Sequence, residues 1–176
     1  MQPVDILINE HKLILQAVEG IKKETQKKQS NNNFDPEIIT TAVDFFRTYA
    51  DRFHHGKEEG ILFSQLSQKK MRESDKKIMT ELMAEHAIAR RTVNALENAK
   101  QQYVPGKTNN LDELLDSLNA LTKLYPTHIE KEDKHFFYTS MEYFTEIERN
   151  QLIANFVTFN QEFTDKKYEQ AIRAIK

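Results

Sequence analysis

Cysteine is absent from this 176-residue chain, which excludes disulfides, thiolate metal sites and cysteine nucleophiles. Glycine and proline number only four each, too few for many short strands joined by Gly/Pro turns. With 30% charged and 39% hydrophobic residues, the mix favours helices. No run approaches the roughly 18 apolar residues of a membrane span. Asp5 and Glu10 interrupt the first apolar stretch, so no secretory signal is expected there. The formal net charge is only -2, which leaves no global field to hold nucleic acid or an anionic membrane. A soluble cytoplasmic protein without nucleic-acid or membrane partners is the expectation, and the length suits one full core.

Hydrophobic periodicity predicts the helices in turn. The first spans about Pro3 to Lys28, with Ile6, Leu7, Leu13, Ile14, Ala17, Val18 and Ile21 on one face. A polar loop over Gln29 to Asn33 follows. Asp35 as N-cap and Pro36 at the first position start a second helix that reaches about Leu66. Its interior holds Gly56 and Gly60, each costing about 1 kcal/mol relative to alanine; a close backbone approach or a crowded helix contact would explain them. Ser74 or Asp75 starts a third helix, which Tyr103-Val104-Pro105-Gly106 ends. Asn110 with Glu113 starts a fourth, in which Pro126 should introduce a kink or begin a new segment. Thr145 and Glu148 mark a further start, and Leu152, Ile153, Phe156, Val157, Phe159, Phe163 and Tyr168 make the tail amphipathic. Short connections make neighbouring helices antiparallel. The expected architecture is all-α: an up-down-up-down four-helix bundle over residues 1–140, with residues 141–176 as a C-terminal helical extension packed on it.

What the chain does have is a repeat. The pattern H-x-x-K-E-[ED] reads His54-His55-Gly56-Lys57-Glu58-Glu59 and again His128-Ile129-Glu130-Lys131-Glu132-Asp133. Glu10-His11 precedes the first copy and Glu85-His86 the second, at nearly equal distances. Leu7, Val18, Ile21 and Phe63 also match Leu82, Val93, Leu96 and Phe137, so residues of about 3–68 and 74–139 form an internal duplication. His54 and Glu58 share a helix face, as do His128 and Glu132. His11 and His86 lie on otherwise apolar faces. Burying such groups is unfavourable unless they are paired or hold metal. Four histidines and two carboxylates at matched positions therefore point to a shared two-metal site in the bundle core: His11, His54, Glu58, His86, His128 and Glu132.

Other polar residues fit less well. His55 matches Ile129 and falls one step off the ligand face, exposed or behind the ligands, so its replacement should leave the metals in place. His135 lies one turn beyond Glu132. Glu59 and Asp133 read as solvated or paired with lysines, while Glu10 and Glu85 recur beside the ligand histidines without a defined role. Tyr49 and Tyr125 are candidates to donate hydrogen bonds to a bound ligand, and Phe45, Phe46, Phe53, Phe63, Phe136 and Phe137 to form a dry sleeve.

On these residues the chain resembles the hemerythrin-like, or HHE cation-binding, domain family from roughly Val4 to Phe137. The resemblance implies an antiparallel bundle around a non-haem di-iron centre with a bridging oxo or hydroxo group. His11 and His54 would serve one iron, His86 and His128 the other, with Glu58 and Glu132 between them. Imidazole and carboxylate ligands alone would suit zinc or manganese equally. Oxygen carriers of the family have a fifth histidine four residues after the third-helix one; here that position is Arg90. The resemblance thus implies an open, symmetric site for a small diatomic or peroxide ligand (O2, NO or peroxide), with a redox partner protein. The roles in view are O2 or NO binding and sensing, peroxide handling and iron-centre repair. An iron-responsive regulatory module is the alternative.

Overall fold

A computed structural model describes residues 1–29, 35–104 and 111–161. The described residues are all-α, a bundle of four helices with a fifth at the C-terminal side. Helix α1 runs Val4–Gln29. Helix α2 starts at Pro36, where the Asp35 side chain accepts a hydrogen bond from the Glu37 amide at 2.9 Å. It is α-helical over Pro36–Asp44, widens to π geometry over Phe45–His55 and again over Glu58–Phe63, and ends with Ser64–Leu66. Helix α3, Glu73–Gln102, begins one residue before the earlier of the expected starts. Helix α4 runs Leu111–Lys131, passes into a π segment at Glu132–Phe136 and finishes as Phe137–Ser140. Helix α5 is Glu146–Asn160. The expected polar loop, the Pro105-Gly106 terminator, the Asn110 start, Phe163 and Tyr168 lie wholly or mainly outside the described residues.

Pro126 does not begin a new segment. It sits on the exposed side of α4, and the helix continues through it to Lys131. An exposed position lets water take the carbonyl that the missing N–H leaves free. The change of geometry comes at Glu132, the second carboxylate of the repeat.

Helices α1 and α3 each pack against both α2 and α4, closing a four-membered ring. The apolar stripes of this ring form two clusters. One contains Ile14, Ile21, Phe46, Phe53, Leu96, Leu118 and Tyr125. The other contains Val4, Leu7, Leu62, Phe63, Leu82, Phe136 and Phe137. The matched histidines fall between them, so a polar layer divides the hydrophobic core. Helix α5 adds Leu152 and Phe156 to the second cluster. It is started by a reciprocal cap, in which the Thr145 amide donates to Glu148 at 2.8 Å and the Glu148 amide donates to the Thr145 hydroxyl at 3.3 Å. Among the described residues no helix is long and apolar enough to cross a membrane.

The two glycines of α2 differ. A Cβ on Gly56 would come within 3.1 Å of the Phe159 ring, whereas one on Gly60 would meet nothing within 4 Å. Gly56 thus permits α5 to approach α2, the crowded contact its position suggested, while Gly60 answers to no such neighbour. Gly60→Ala should stabilise the protein by about 1 kcal/mol through helix propensity, raising the thermal midpoint by about 2–4 °C. Gly56→Ala should give no such gain, and paired melting curves check the contrast.

Candidate metal centre

The π segments explain how the site is assembled. A wider turn reduces the angle between consecutive side chains and often marks functional positions. In α2 it carries both His54 and His55 to the inner face. Both are buried, as are His11, His86 and His128. Glu58 and Glu132 are fully enclosed at 0% exposure.

The structure brings all six predicted residues together in two groups. In one, His11, His54, Glu58 and Glu132 offer ligand atoms within 4.8 Å of one another; in the other, His55, Glu58, His86 and His128 do so. Glu58 belongs to both. Glu132 also reaches across: His86 Nε2 is 3.8 Å from Oε1 and His128 Nε2 is 3.4 Å from Oε2.

His55 is the correction. It was expected to be exposed or behind the ligands, yet its ring stacks on His86 with centroids 3.8 Å apart and planes 13° off parallel. Its Nε2 is buried without a hydrogen-bond partner. Burial, then the neighbouring charge of His86, pushes its pKa down to about 3, so it is a neutral imidazole with a lone pair to give. A 3.6-residue period places His55 off the face; the π turn places it on. His135, by contrast, is exposed and takes no part.

Every histidine of the cluster is held by a carboxylate at Nδ1. His11 donates to Asp133 at 2.8 Å and His86 to Glu59 at 2.6 Å. His54 donates to Glu10 at 2.9 Å, His128 to Glu85 at 2.8 Å, and His55 to Asp51 at 3.3 Å. This assigns the flanking letters of the repeat. The carboxylate before each first histidine orients the other histidine of its own hairpin. The carboxylate after each buried glutamate, Glu58 or Glu132, orients the histidine of the opposite hairpin. Glu59 and Asp133 are therefore half-buried histidine partners rather than lysine partners. Lys57 and Lys131 serve the earlier pair, binding Glu10 and Glu85 respectively, the latter at 2.5 Å.

Phe137 stacks on His11 and Phe63 on His86, with centroids 5.5 and 6.1 Å apart. The expected phenylalanine sleeve is buried throughout. Tyr49 lies among Phe45 and Phe53, and Tyr125 lies parallel to His55 at 6.2 Å.

The matched halves are not identical. Asp51, His55 and Arg90 align in the repeat with Tyr125, Ile129 and Leu15. These three residues form one network: Arg90 Nε donates to Asp51 at 2.7 Å, and Arg90 Nη2 donates to Glu59 at 2.8 Å. Arg90 thus braces the carboxylates that hold both His55 and His86.

The donor set fits a pair of cations. With each Nδ1–H given to a carboxylate, each Nε2 presents a lone pair. His11 Nε2 then faces His54 Nε2 at 2.8 Å, and His86 Nε2 faces His128 Nε2 at 3.1 Å. All four oxygens of Glu58 and Glu132 are buried without a hydrogen-bond donor. Lone pairs facing lone pairs beside two bare carboxylates call for positive charge between them. The local potential agrees. Burial opposes a charge on His11 and His86, yet Asp133 and Glu132 raise the first to about 10, and Glu132 and Glu59 raise the second to about 9. Whatever favours a proton there favours a metal ion.

Lys57 is wholly buried, shared between Glu10 and Asn160 of α5, with its ammonium 3.4 Å from the Phe53 ring centroid. Lys57→Ala leaves Glu10 enclosed without its cation, so it should cost about 3–5 kcal/mol, read from urea denaturation of the metal-loaded protein.

No curated protein and no solved structure matches the chain. The family model described as "Hemerythrin HHE cation binding domain" matches residues 2–139. With a cation-binding cluster of histidine and glutamate at the centre of its helical bundle, the chain belongs to the hemerythrin HHE cation-binding domain family.

Proposed function

We propose that the protein carries two iron ions with a bridging oxo or hydroxo group and binds a small diatomic or peroxide ligand there. His11 and His54 hold one iron, and His55, His86 and His128 the other; Glu58 and Glu132 serve both. The supporting observation is the pair of facing Nε2 contacts flanking two carboxylates that have no donors. When bound, such a pair supplies Lewis acidity and reversible one-electron chemistry.

His55 changes the expected symmetry. The His55, His86 and His128 side would offer three imidazoles and the His11 and His54 side two, so the latter side would have fewer protein donors and more room for a small ligand. The protein's part is to fix each imidazole by its Nδ1–carboxylate bond and to exclude water by its phenylalanines. Burial of Glu58 and Glu132 at 0% exposure restricts access to very small molecules. This favours O2, NO or peroxide over an organic substrate, in binding, sensing, peroxide handling or iron-centre repair, with a redox partner protein to return electrons.

Metal analysis with optical spectra of oxidised and reduced protein tests the reading: about two irons per chain and near-ultraviolet absorption of an oxygen-bridged pair. Reversible change on cycling O2 would identify a binder, and decay of added peroxide an enzyme. His55→Ala should lower metal content towards one per chain; full retention of both metals with an unchanged spectrum would remove His55 from the ligand set. A second reading, a regulatory module whose fold depends on metal, is favoured by the bare buried carboxylates.

A further inference from the structure

A groove of about 320 Å³ opens between α2 and α3, beside the metal centre. Its floor is apolar, with Phe46, Val93 and Tyr125, and its rim carries Arg47, Arg52 and Arg90 against the single carboxylate of Asp51. That carboxylate is already committed to Arg90 and His55. Arg47 is partly committed too, donating to Asn94 at 3.0 Å. Arg52 is not: its guanidinium is exposed and has no hydrogen bond or ion pair among the described residues. Arg90 uses Nε and Nη2 for Asp51 and Glu59, while its Nη1 has no partner among the described residues. One free guanidinium and one free nitrogen of another thus line the same apolar-floored groove.

We propose that this groove binds a small organic carboxylate, held by Arg52 and the unused Nη1 of Arg90, with its apolar body on Phe46 and Tyr125. Guanidinium groups bind carboxylates through paired charge-assisted hydrogen bonds. A volume equal to roughly ten water molecules suits an acid the size of benzoate. The repeat-related position between α4 and α1 has no equivalent triad, because Tyr125, Ile129 and Leu15 align there with Asp51, His55 and Arg90. Binding is also felt at the metals. A carboxylate on Nη1 joins the same guanidinium whose Nε and Nη2 brace Asp51 and Glu59, and so acts on His55 and His86 together. By linkage, metal occupancy and carboxylate affinity change each other by the same factor. This coupling rests on the ligand assignment proposed above; occupancy of the groove does not.

The test is calorimetric titration of the full, metal-loaded chain with benzoate, alongside its near-ultraviolet spectrum. Saturable binding is expected, with a shift in the metal absorption. Arg52→Ala, an exposed change that leaves the fold and metal content intact, should weaken it roughly tenfold, the effect of one charge-assisted contact. Arg52→Glu should abolish it. Inorganic phosphate, lacking an apolar body, should bind more weakly. Repeating the titration on zinc-loaded protein separates this site from the iron assignment, since the groove requires only the folded bundle. Benzoate binding unchanged by both Arg52 variants, including binding directly to metal, would overturn the proposal, as would no binding at all or tighter binding of phosphate.

Discussion

Glu58→Ala should release both ions of the proposed pair. Glu58 is the one residue common to both donor groups, and its oxygens lie 3.2 Å from His54 Nε2 and 3.4 Å from His86 Nε2. Removing it takes a donor from each ion and leaves five imidazoles with one carboxylate to balance two cations. Loss of a merely orienting partner weakens metal binding by about 10–100-fold; loss of the shared carboxylate should exceed the upper figure for both ions. Elemental analysis of the purified variant reads this directly, and a variant that keeps both metals defeats the bridging assignment. In the metal-free form burial and the neighbouring Glu132 oppose a charge on Glu58, yet His54 and His86 hold its carboxyl below the usual carboxylate range. Removing Glu58 there breaks a buried charge pairing, so metal-free Glu58→Ala should melt below metal-free wild type as well.

Chelation is the second large effect. A ligand at about 1,000 times its dissociation constant stabilises the folded state by about 4 kcal/mol. Two such ions give about 8 kcal/mol, since an unfolded chain holds no preformed site. At 2–4 °C per kcal/mol for a chain of this size, the midpoint should fall by roughly 20 °C when both metals are stripped. Calorimetry with and without chelator, followed by readdition of iron, measures it. The layered core gives the reason: the two apolar clusters lie on either side of the histidine layer, so losing the cations leaves a buried polar layer in the middle of the molecule with only protons to balance its carboxylates. A shift of only a few degrees would mean that the layer is neutralised by protons alone, and would sink the metal-dependent regulatory reading.

Much of this was legible in the residues. Apolar periodicity and the Asp35-Pro36 and Thr145-Glu148 signals placed the helices, because those features act within one or two turns. The duplicated histidines and glutamates announced a centre, because spacing within a helix fixes which side chains share a face. Two kinds of information escaped. The geometry of Phe45–His55 is a π turn, which ordinary helical spacing does not encode, so the burial of His55 against His86 is not legible from the 3.6-residue period. The partners of Glu10, Glu59, Glu85 and Asp133 lie across the bundle, where the packing of helices decides them. A signal for His55 was nevertheless present. Asp51, His55 and Arg90 are the polar residues near the site that break the repeat, at spacings of four on α2 and, for Arg90, four beyond His86 on α3.

The exchange of orienting carboxylates between hairpins has its own consequence. Asp133 steers His11, and Glu59 steers His86, so neither hairpin possesses a complete set of instructions for its own imidazoles. Were the backbone severed between α3's predecessor and α3, within the short stretch 67–72, each fragment would keep helices of adequate propensity but be unable to retain an ion alone. Mixing the two fragments should restore binding only on reassembly, making metal uptake a reporter of fragment complementation.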